Sequence, residues 1–543
     1  MDHDVLIVGG GPVGLALAAE LGWRGIACTL IERGDGTVSQ PKMDFVGTRT
    51  LEFCRRWGIL SWVEAAGYNR AYPQDCVWLE SLTGDEFARE PFPPMSEEKP
   101  MPQSPCPRGE RCPQDFFDPV LARFAGQFPH VSLHYGVDLM EFEEKADGVV
   151  ARLKQPDGAE TRIGAAYLIG CDGGSSTVRE RLGIGMSGSP VLTHTTNAIF
   201  RCDGLERLHD KASAYRFIFI GPEGTWGTLV AINGRDRWRL SLVGNETRRV
   251  LSEEEVGYAI LRAMGRPFDF EILSIMPWTR RELVADRYGT ARIFIAGDAA
   301  HLMSPTGGFG MNTGIQDAVD LGWKLEAAIR GWSGREFLAS YEIERRPVAL
   351  RNVREATGNL RRMLAPGDAR PGQALFEPGL PGTPSRRDFG QRLKDMMRRE
   401  WRTAGIHLGY VYDHSPVIVP DGTSPPRDEV STYVQTARPG SRAPHVWLGP
   451  DRSTLDFFGR EFVLLRFGAD APLGATLEHA VRARRVPYRS VVIEHAEAAA
   501  IYARHLVLVR PDGHVAWRSD DAPDADEAQR TIDRICGGVP LPP

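Results

Sequence analysis

Residues 4–32 read DVLIVGGGPVGLALAAELGWRGIACTLIE, and this stretch decides the fold. The apolar, β-branched run 5–8 predicts a short buried strand. Gly9, Gly11 and Gly14 then fall in the G-x-G-x-x-G spacing, ahead of a helical pattern over 13–21. Each glycine has a mechanical task. Gly9 permits the tight turn, Gly11 lets the backbone approach a pyrophosphate, and Gly14 lets the helix pack closely on the strand with its N-terminus toward the anion. Glu32 closes a second strand 18 residues past Gly14, where a carboxylate can accept both hydroxyls of an adenosine ribose. A glycine triplet alone is a weak signal; strand, helix, second strand and acid in register describe a nucleotide-binding unit.

The totals bound what surrounds that unit. At 543 residues the chain exceeds one core, and at ~100–200 residues per domain it predicts about three domains. The net charge is −6, with no basic block or basic aromatic stripe, so nucleic acid is not an expected partner. No apolar run approaches the ~18–20 residues of a bilayer span and the N-terminus leads straight into a strand, so a cytoplasmic protein off the membrane is expected. Eight cysteines stand at 28, 54, 76, 106, 112, 171, 202 and 536 without a C-x-x-C pair. Cys106 and Cys112 have no second pair or nearby histidine, so no metal is expected.

Further along, the loop 33–45 leaves the cofactor strand and must carry Lys42 and Asp44 past whatever Glu32 holds. A helix follows from Thr48 to Gly58. Residues 68–113, rich in proline and aromatics, predict an excursion into another domain, and RCPQDFFDPVLARFA at 111–125 brings the chain back through a proline-opened helix. Alternating strands over 131–169, with a hairpin turn at Pro156-Asp157-Gly158, end in AAYLIGCDGGSSTVRERLGI. There a strand delivers Asp172-Gly173 into a turn, and Ser176 and Arg179 open a helix. Alternation over 186–282 predicts a sheet with Tyr215, Phe217 and Phe219 on one face, continued by Trp226, Thr228 and Val230. Most of these side chains are expected in the core; Phe45, Tyr215, Phe217 and Trp226 are the candidates for touching a ligand.

A second anchor is ARIFIAGDAAHLMSPTGGFGMNTGIQDAVDLGWKL at 291–325, in which a strand ends at Gly297-Asp298. The glycine-rich loop 307–310 then aims backbone N–H groups at the start of a long helix. Residues 364–437 hold many Pro, Gly and Arg and predict a connector wrapped over the surface. From Arg438 the pattern is β-α-β then β-β-α, the order of a thioredoxin-like domain. Its redox cysteine pair is missing, which points to a structural module.

Three separated motifs in this order resemble the single-component FAD-dependent aromatic hydroxylases, the class A flavoprotein monooxygenases that include para-hydroxybenzoate hydroxylase and phenol hydroxylase. The resemblance covers roughly residues 1–360, and the non-redox tail narrows it to the branch with a C-terminal thioredoxin-like domain. It implies an α/β fold with a Rossmann-like FAD-binding domain of the GR2 type (1–67, 114–185 and 286–363) and a β-sheet substrate domain (68–113 and 186–285). The connector (364–437) and the thioredoxin-like domain (438–543) complete the chain.

By the same resemblance, Gly9, Gly11, Pro12, Gly14, Glu32 and Arg33 hold the adenosine and phosphate end of a non-covalent FAD, with Lys42 on its phosphates and Gln114 on its chain. Asp172 and Arg179 form the DG motif near the pyrophosphate, and Gly297 and Asp298 the GD motif on the ribityl chain. Gly310 and the backbone of Met311 and Asn312 meet the flavin N1 and O2 edge. Pro305 is placed beside the substrate. Matching RTLE at 49–52 puts Asp44 on the phenol hydroxylase active-site aspartate and Arg237 and Arg239 near its substrate-facing Arg and Tyr, although neither position here is a tyrosine.

The implied chemistry is hydroxylation of a small phenolic or polycyclic aromatic: NADPH or NADH reduces the flavin, O2 forms a C4a-hydroperoxide, and the electron-rich ring attacks it. Asp44 would help deprotonate the substrate if burial raised its pKa; the alternative is a loop cap before the Thr48 helix. His301 is expected to make a structural hydrogen bond, and the enzyme to be a homodimer. The competing readings are Baeyer–Villiger or substituent-removing oxygenation on the same fold, a flavin-free NAD-dependent dehydrogenase, and a flavin-binding protein without turnover.

Overall fold

The computed structural model describes residues 3–245, 247–334, 336–364, 371–377 and 383–538, so parts of the expected connector and the end of the tail lie outside the described residues. Its first sheet has seven strands. Val131–Tyr135, Cys28–Glu32, His3–Val8 and Glu160–Gly170 run parallel in that order, Ile293–Ile295 pairs with the last of them, and Val149–Lys154 and Asp138–Glu144 extend it antiparallel. Val5, Leu6 and Ile7 are sealed from solvent on both faces, as a near-continuous apolar strand must be. Register then explains how remote motifs meet. Ile7 lies beside Ile169 and Gly170 beside Ile295, so the Gly9 turn, Asp172-Gly173 and Gly297-Asp298 all leave the carboxyl ends of adjacent parallel strands.

The second sheet has eight strands in the order His301–Leu302, Glu271–Ala285, Met186–Arg201, Arg237–Asn245, Gly224–Ala231, Arg216–Gly221, Cys76–Leu79 and Glu86–Glu90. The excursion read at 68–113 contributes its last two strands. One face is buried under the helix Glu253–Met264, whose Val256, Ile260 and Met264 pack on Phe217, Phe219, Leu229 and Trp238. On the other face Thr228, Val230, Arg239 and Ser241 line a cavity. The expectation of a connector lying over the surface is corrected here: the helix Thr383–Trp401 buries Phe389, Leu393 and Met397 against Trp78, Phe87 and Ile218, and the residues after it help wall the cavity described below.

The C-terminal sheet, Tyr488–Ile493, Phe462–Phe467, Leu506–Val509 and Val515–Ser519, is parallel across its first pair and antiparallel across the others, and Ala475–Ala483 and Ala525–Ile535 cover it. Buried ion pairs dock it. Arg442 meets Glu52 of the helix Thr48–Trp57, and Arg510 donates to both oxygens of Glu344 at 2.6 and 2.9 Å. Cys536 is a free thiol in the core between this domain and Trp323. Among the described residues no helix is long and apolar enough to cross a membrane.

Candidate active site

The groove at the strand ends shows what each glycine does. A Cβ on Gly14 would lie 2.0 Å from the Gly9 carbonyl oxygen, and one on Gly9, at φ +110°, would lie 2.4 Å from the Cys171 carbonyl oxygen; one on Gly11 would meet nothing within 4 Å. Gly9 and Gly14 are therefore demanded by packing, whereas Gly11 faces open space at the N-terminus of the helix Pro12–Arg24, where a pyrophosphate fits. Glu32 is oriented by two backbone donors, Gly10 and Gly34, each at 2.7 Å, and Arg33 beside it is exposed. Gln114 accepts from the Lys42 amide at 3.2 Å and donates to Asp118, which places both at the groove's edge.

Asp172 accepts from Ser176 Oγ at 2.5 Å and Val178 N at 3.1 Å, capping the turn that follows it. Arg179 follows in the helix Thr177–Arg181. It is buried and its Nη1 donates to the Gly174 and Ala299 carbonyls at 3.2 and 3.3 Å, so it stitches the DG turn to the GD turn. Asp298 is exposed to the groove between buried Gly297 and Ala299. His301 makes the structural contact expected of it: its Nε2 lies 2.7 Å from Asp317, which also takes Arg345 at 2.8 Å and the Gly297 amide at 3.3 Å.

The helix Phe309–Ile329 begins at the cap residue Gly308, so the amides of Phe309, Gly310 and Met311 lack intrahelical acceptors and, with Asn312 in the first turn behind them, form its positive end. The Asn312 side chain accepts from Gly47 N and Thr50 Oγ1 and donates to the Phe45 and Gly308 carbonyls, all within 2.7–3.1 Å. It thereby locks this helix start to the strand Phe45–Gly47. An open glycine turn, an oriented acid and a free helix N-terminus on one groove suit an elongated dinucleotide such as FAD.

A cavity of about 430 Å³ lies between the groove and the second sheet, bounded by Lys42, Asp44, Phe45 and Pro305–Gly308 on one side and by Tyr215, Arg239, Trp278 and Arg280 on the other. Asp44 is its electrostatic centre. It accepts from Tyr215 Oη at 2.6 Å, Arg239 Nη2 at 3.3 Å and Arg111 Nη1 at 3.2 Å, while the Arg111 guanidinium lies 3.4 Å from the centre of the Tyr215 ring. Burial by itself would raise the pKa of Asp44, but the two guanidiniums and the Tyr215 hydroxyl outweigh it and hold the carboxyl below its ordinary value. Burial pushes the Tyr215 phenol well above its ordinary value, so it remains a donor.

This geometry corrects several expectations. Asp44 is a buttressed anion, a poor acceptor for a proton. Nor does it cap the Thr48 helix, whose cap residue is Gly47 with no side-chain cap. Arg237 lies beyond the cavity wall at the start of its strand, paired to Asp115 at 2.7 Å, so Arg239 is the one of the two that reaches the site. Phe217 faces the helix-covered core. Trp226 does so too, because Phe219 pairs with Gly227 while Ile220 pairs with Thr225. That bulge leaves Trp226 as the extra residue, turned away from Thr228 and Val230 and stacked 5.1 Å from Phe219.

Positions 237 and 239 carry no tyrosine, but Tyr215, just ahead of the strand Arg216–Gly221, brings a phenol into the cavity. Arg111, Trp278, Arg280, Trp401 and His407 are wall residues that pattern reading missed. Only Arg111 left a trace, three positions before Gln114 in a segment already assigned to the chain's return.

Comparison with known proteins bears on this geometry. A family model described as FAD binding domain matches residues 2–356, and one described as aromatic-ring hydroxylase, C-terminal, matches 436–538. A putative polyketide hydroxylase of Streptomyces halstedii is 34% identical, over 98% of this chain and 96% of its own. The solved structure of chromopyrrolic acid-soaked RebC with bound 7-carboxy-K252c superposes with a TM-score of 0.91 at 38% identity, covering 99% of each chain. The ternary complex of aklavinone-11 hydroxylase with FAD and aklavinone does so at 0.84 and 29%, over 98% of this chain and 99% of that one. With its groove, its cavity and its full-length likeness to these enzymes, this chain belongs to the FAD-dependent aromatic-ring hydroxylases.

Proposed function

We propose that the enzyme uses NADPH or NADH and O2 to hydroxylate a multi-ring phenol held between the flavin and the Asp44–Tyr215–Arg239 cluster. The observation that carries this reading is the cavity itself. Its volume of about 430 Å³ falls in the ~300–1,000 Å³ range of small-molecule sites, with the start of the helix Phe309–Ile329 at one wall and a charged cluster at the other. Bound FAD would supply the reducing equivalents and activate O2.

The chain's own residues do the rest. The positive end of the helix Phe309–Ile329, with the free amides of Gly310 and Met311 and the backbone of Asn312 behind them, stabilises negative charge on the flavin edge, and Glu32 and Asp298 hold the adenosine ribose and ribityl ends. Arg239 and Arg111, kept in place by Asp44, lower the pKa of a substrate hydroxyl set beside them, so the reactive phenolate forms without a strong base. Pro305 and Trp278 line the space where the ring lies. The polyketide hydroxylase relatives support a multi-ring substrate. The eight unpaired cysteines, seven of them buried, fit a reducing compartment such as the cytoplasm.

A screen of hydroxylated aromatics of one to four rings for stimulated NADPH and NADH oxidation, with product masses, tests this reading. The expected product gains one oxygen with its rings intact. Ring expansion, loss of a substituent or peroxide alone across the panel would overturn it.

A further inference from the structure

Arg280, on the strand Glu271–Ala285, differs from the other guanidiniums of the cavity, the solvent-exposed Arg402 aside. Arg111 and Arg239 share Asp44, Arg216 holds Glu400 at 2.7 Å and Arg108 holds Glu98. Arg280 is 5% exposed and has only neutral partners: its Nε donates to Thr195 Oγ1 at 2.9 Å and its Nη1 to Ser304 Oγ at 3.2 Å. Among the described residues no carboxylate lies within ion-pair distance of it, and its Nη2, on the cavity side, has no hydrogen-bond partner. Burial and the nearby Arg216 and Arg239 push its pKa down to about 10, against a weaker pull from Glu400, so it is still charged at neutral pH. A buried cation without a counter-ion is costly unless something that binds completes the pair.

The groups around it also point to an anion. Thr195 Oγ1 and Ser304 Oγ accept from Arg280. Thr306 spends its one hydroxyl hydrogen on the Ala356 carbonyl at 2.7 Å, so Ser304 donates across its 2.9 Å contact to Thr306, and the hydrogen of Thr195 is the one left free to be donated. A guanidinium edge beside the Thr195 hydroxyl donor fits a carboxylate, whose oxygens only accept. Ser304 immediately precedes Pro305, and Trp278 lies two residues back on the same face of the strand. An anion on Arg280 would therefore sit against the flavin-side loop with its ring along Trp278.

Building on the hydroxylase reading above, we propose that the substrate is an aromatic hydroxy acid whose carboxylate docks on Arg280 while its hydroxyl meets the Asp44–Tyr215–Arg239 cluster. In this role Arg280 sets specificity and the orientation of the ring.

The test titrates the FAD-loaded enzyme with 3-hydroxy-2-naphthoic acid, its methyl ester and 2-naphthol, reading Kd from the flavin absorbance. The acid is expected to bind at least about tenfold more tightly than the ester or the naphthol, the scale of one charge-assisted hydrogen bond. Arg280→Gln is expected to erase that advantage while leaving the affinities for the ester and for FAD unchanged. Equal binding of acid and ester by the unaltered enzyme, which needs no variant to fold, would overturn the proposal. So would an advantage that survives in Arg280→Gln, loss of FAD from that variant, or failure of the acid to bind. Turnover separates the two readings: oxygen insertion into 2-naphthol with no preference for the acid removes the carboxylate site alone, whereas an acid preference with no oxygen insertion into any probe removes the hydroxylase reading alone.

Discussion

Tyr215 Oη donates to Asp44 Oδ2 across 2.6 Å, joining a residue at the mouth of the substrate sheet to one on the loop that leaves the nucleotide-binding sheet. The bond crosses the seam where flavin and substrate must meet, and it makes Asp44 an organiser of donors.

Asp44→Asn should therefore lower coupled hydroxylation about 100-fold, the scale of losing one preorganised electrostatic contact, because Arg111 and Arg239 lose the charge that aims them. Tyr215→Phe should do the same to a lesser degree. With Asp44 already ionised below the ordinary carboxylate range, its titration should not appear in the kcat profile between pH 5 and 8. Product formed per NAD(P)H consumed is the readout. Full coupling in Asp44→Asn, or loss of FAD from it, would contradict this role.

The glycine turn separates folding from binding. Gly14→Ala should destabilise the apoprotein severely, since the new methyl would lie 2.0 Å from a backbone oxygen, whereas Gly11→Ala should leave the apoprotein Tm unchanged and weaken FAD. Glu32→Ala should also weaken FAD, by about 1.5–3 kcal/mol for a charge-assisted contact to the ribose. Calorimetry of the apoproteins and FAD titration give the comparison; equal effects of the two glycine substitutions on Tm would refute it.

Docking of the C-terminal domain rests on buried charge. Arg510 lies between Glu344, Asp512 and Asp320, and Lys324 bonds Asp320 and Glu344 from the far side. Arg510→Met should cost about 3–5 kcal/mol, the scale for stranding buried carboxylates. Cys536→Ser should leave hydroxylation intact, since the thiol only packs. A Tm for Arg510→Met within a degree of the parent would show that the network adds nothing.

Acid should lower the stability of the fold. Burial holds His407, His445 and His514 neutral, with pKa values pushed down to about 4, while the unfolded chain takes up these protons near pH 6.5. Between those values the unfolded state binds more protons, so stability falls as pH falls. The loss is at most about 1.4 kcal/mol per pH unit for each buried histidine. Tm measured from pH 7 to 4.5 should drop steadily; a flat profile would mean these imidazoles titrate normally.

The sequence by itself determined the nucleotide-binding half and the order of the parts. Gly9, Gly11, Gly14 and Glu32, the Asp172-Gly173 turn and the Gly297-Asp298 turn are legible as short motifs, and so is the strand–helix order of the tail, although Gly9 is also required by a remote neighbour, the Cys171 carbonyl. The cavity was decided by tertiary structure. Asp44 is close in sequence to none of Arg111, Tyr215 and Arg239, which reach it from a short paired strand, the residue preceding a strand and a sheet interior. A single bulge turned Trp226 into the core, where alternation alone would have left it facing the substrate. The sign of the Asp44 pKa shift lay furthest from the sequence. It depends on whether burial or two guanidiniums prevail, and that is settled by distances of about 3 Å between residues up to 195 positions apart.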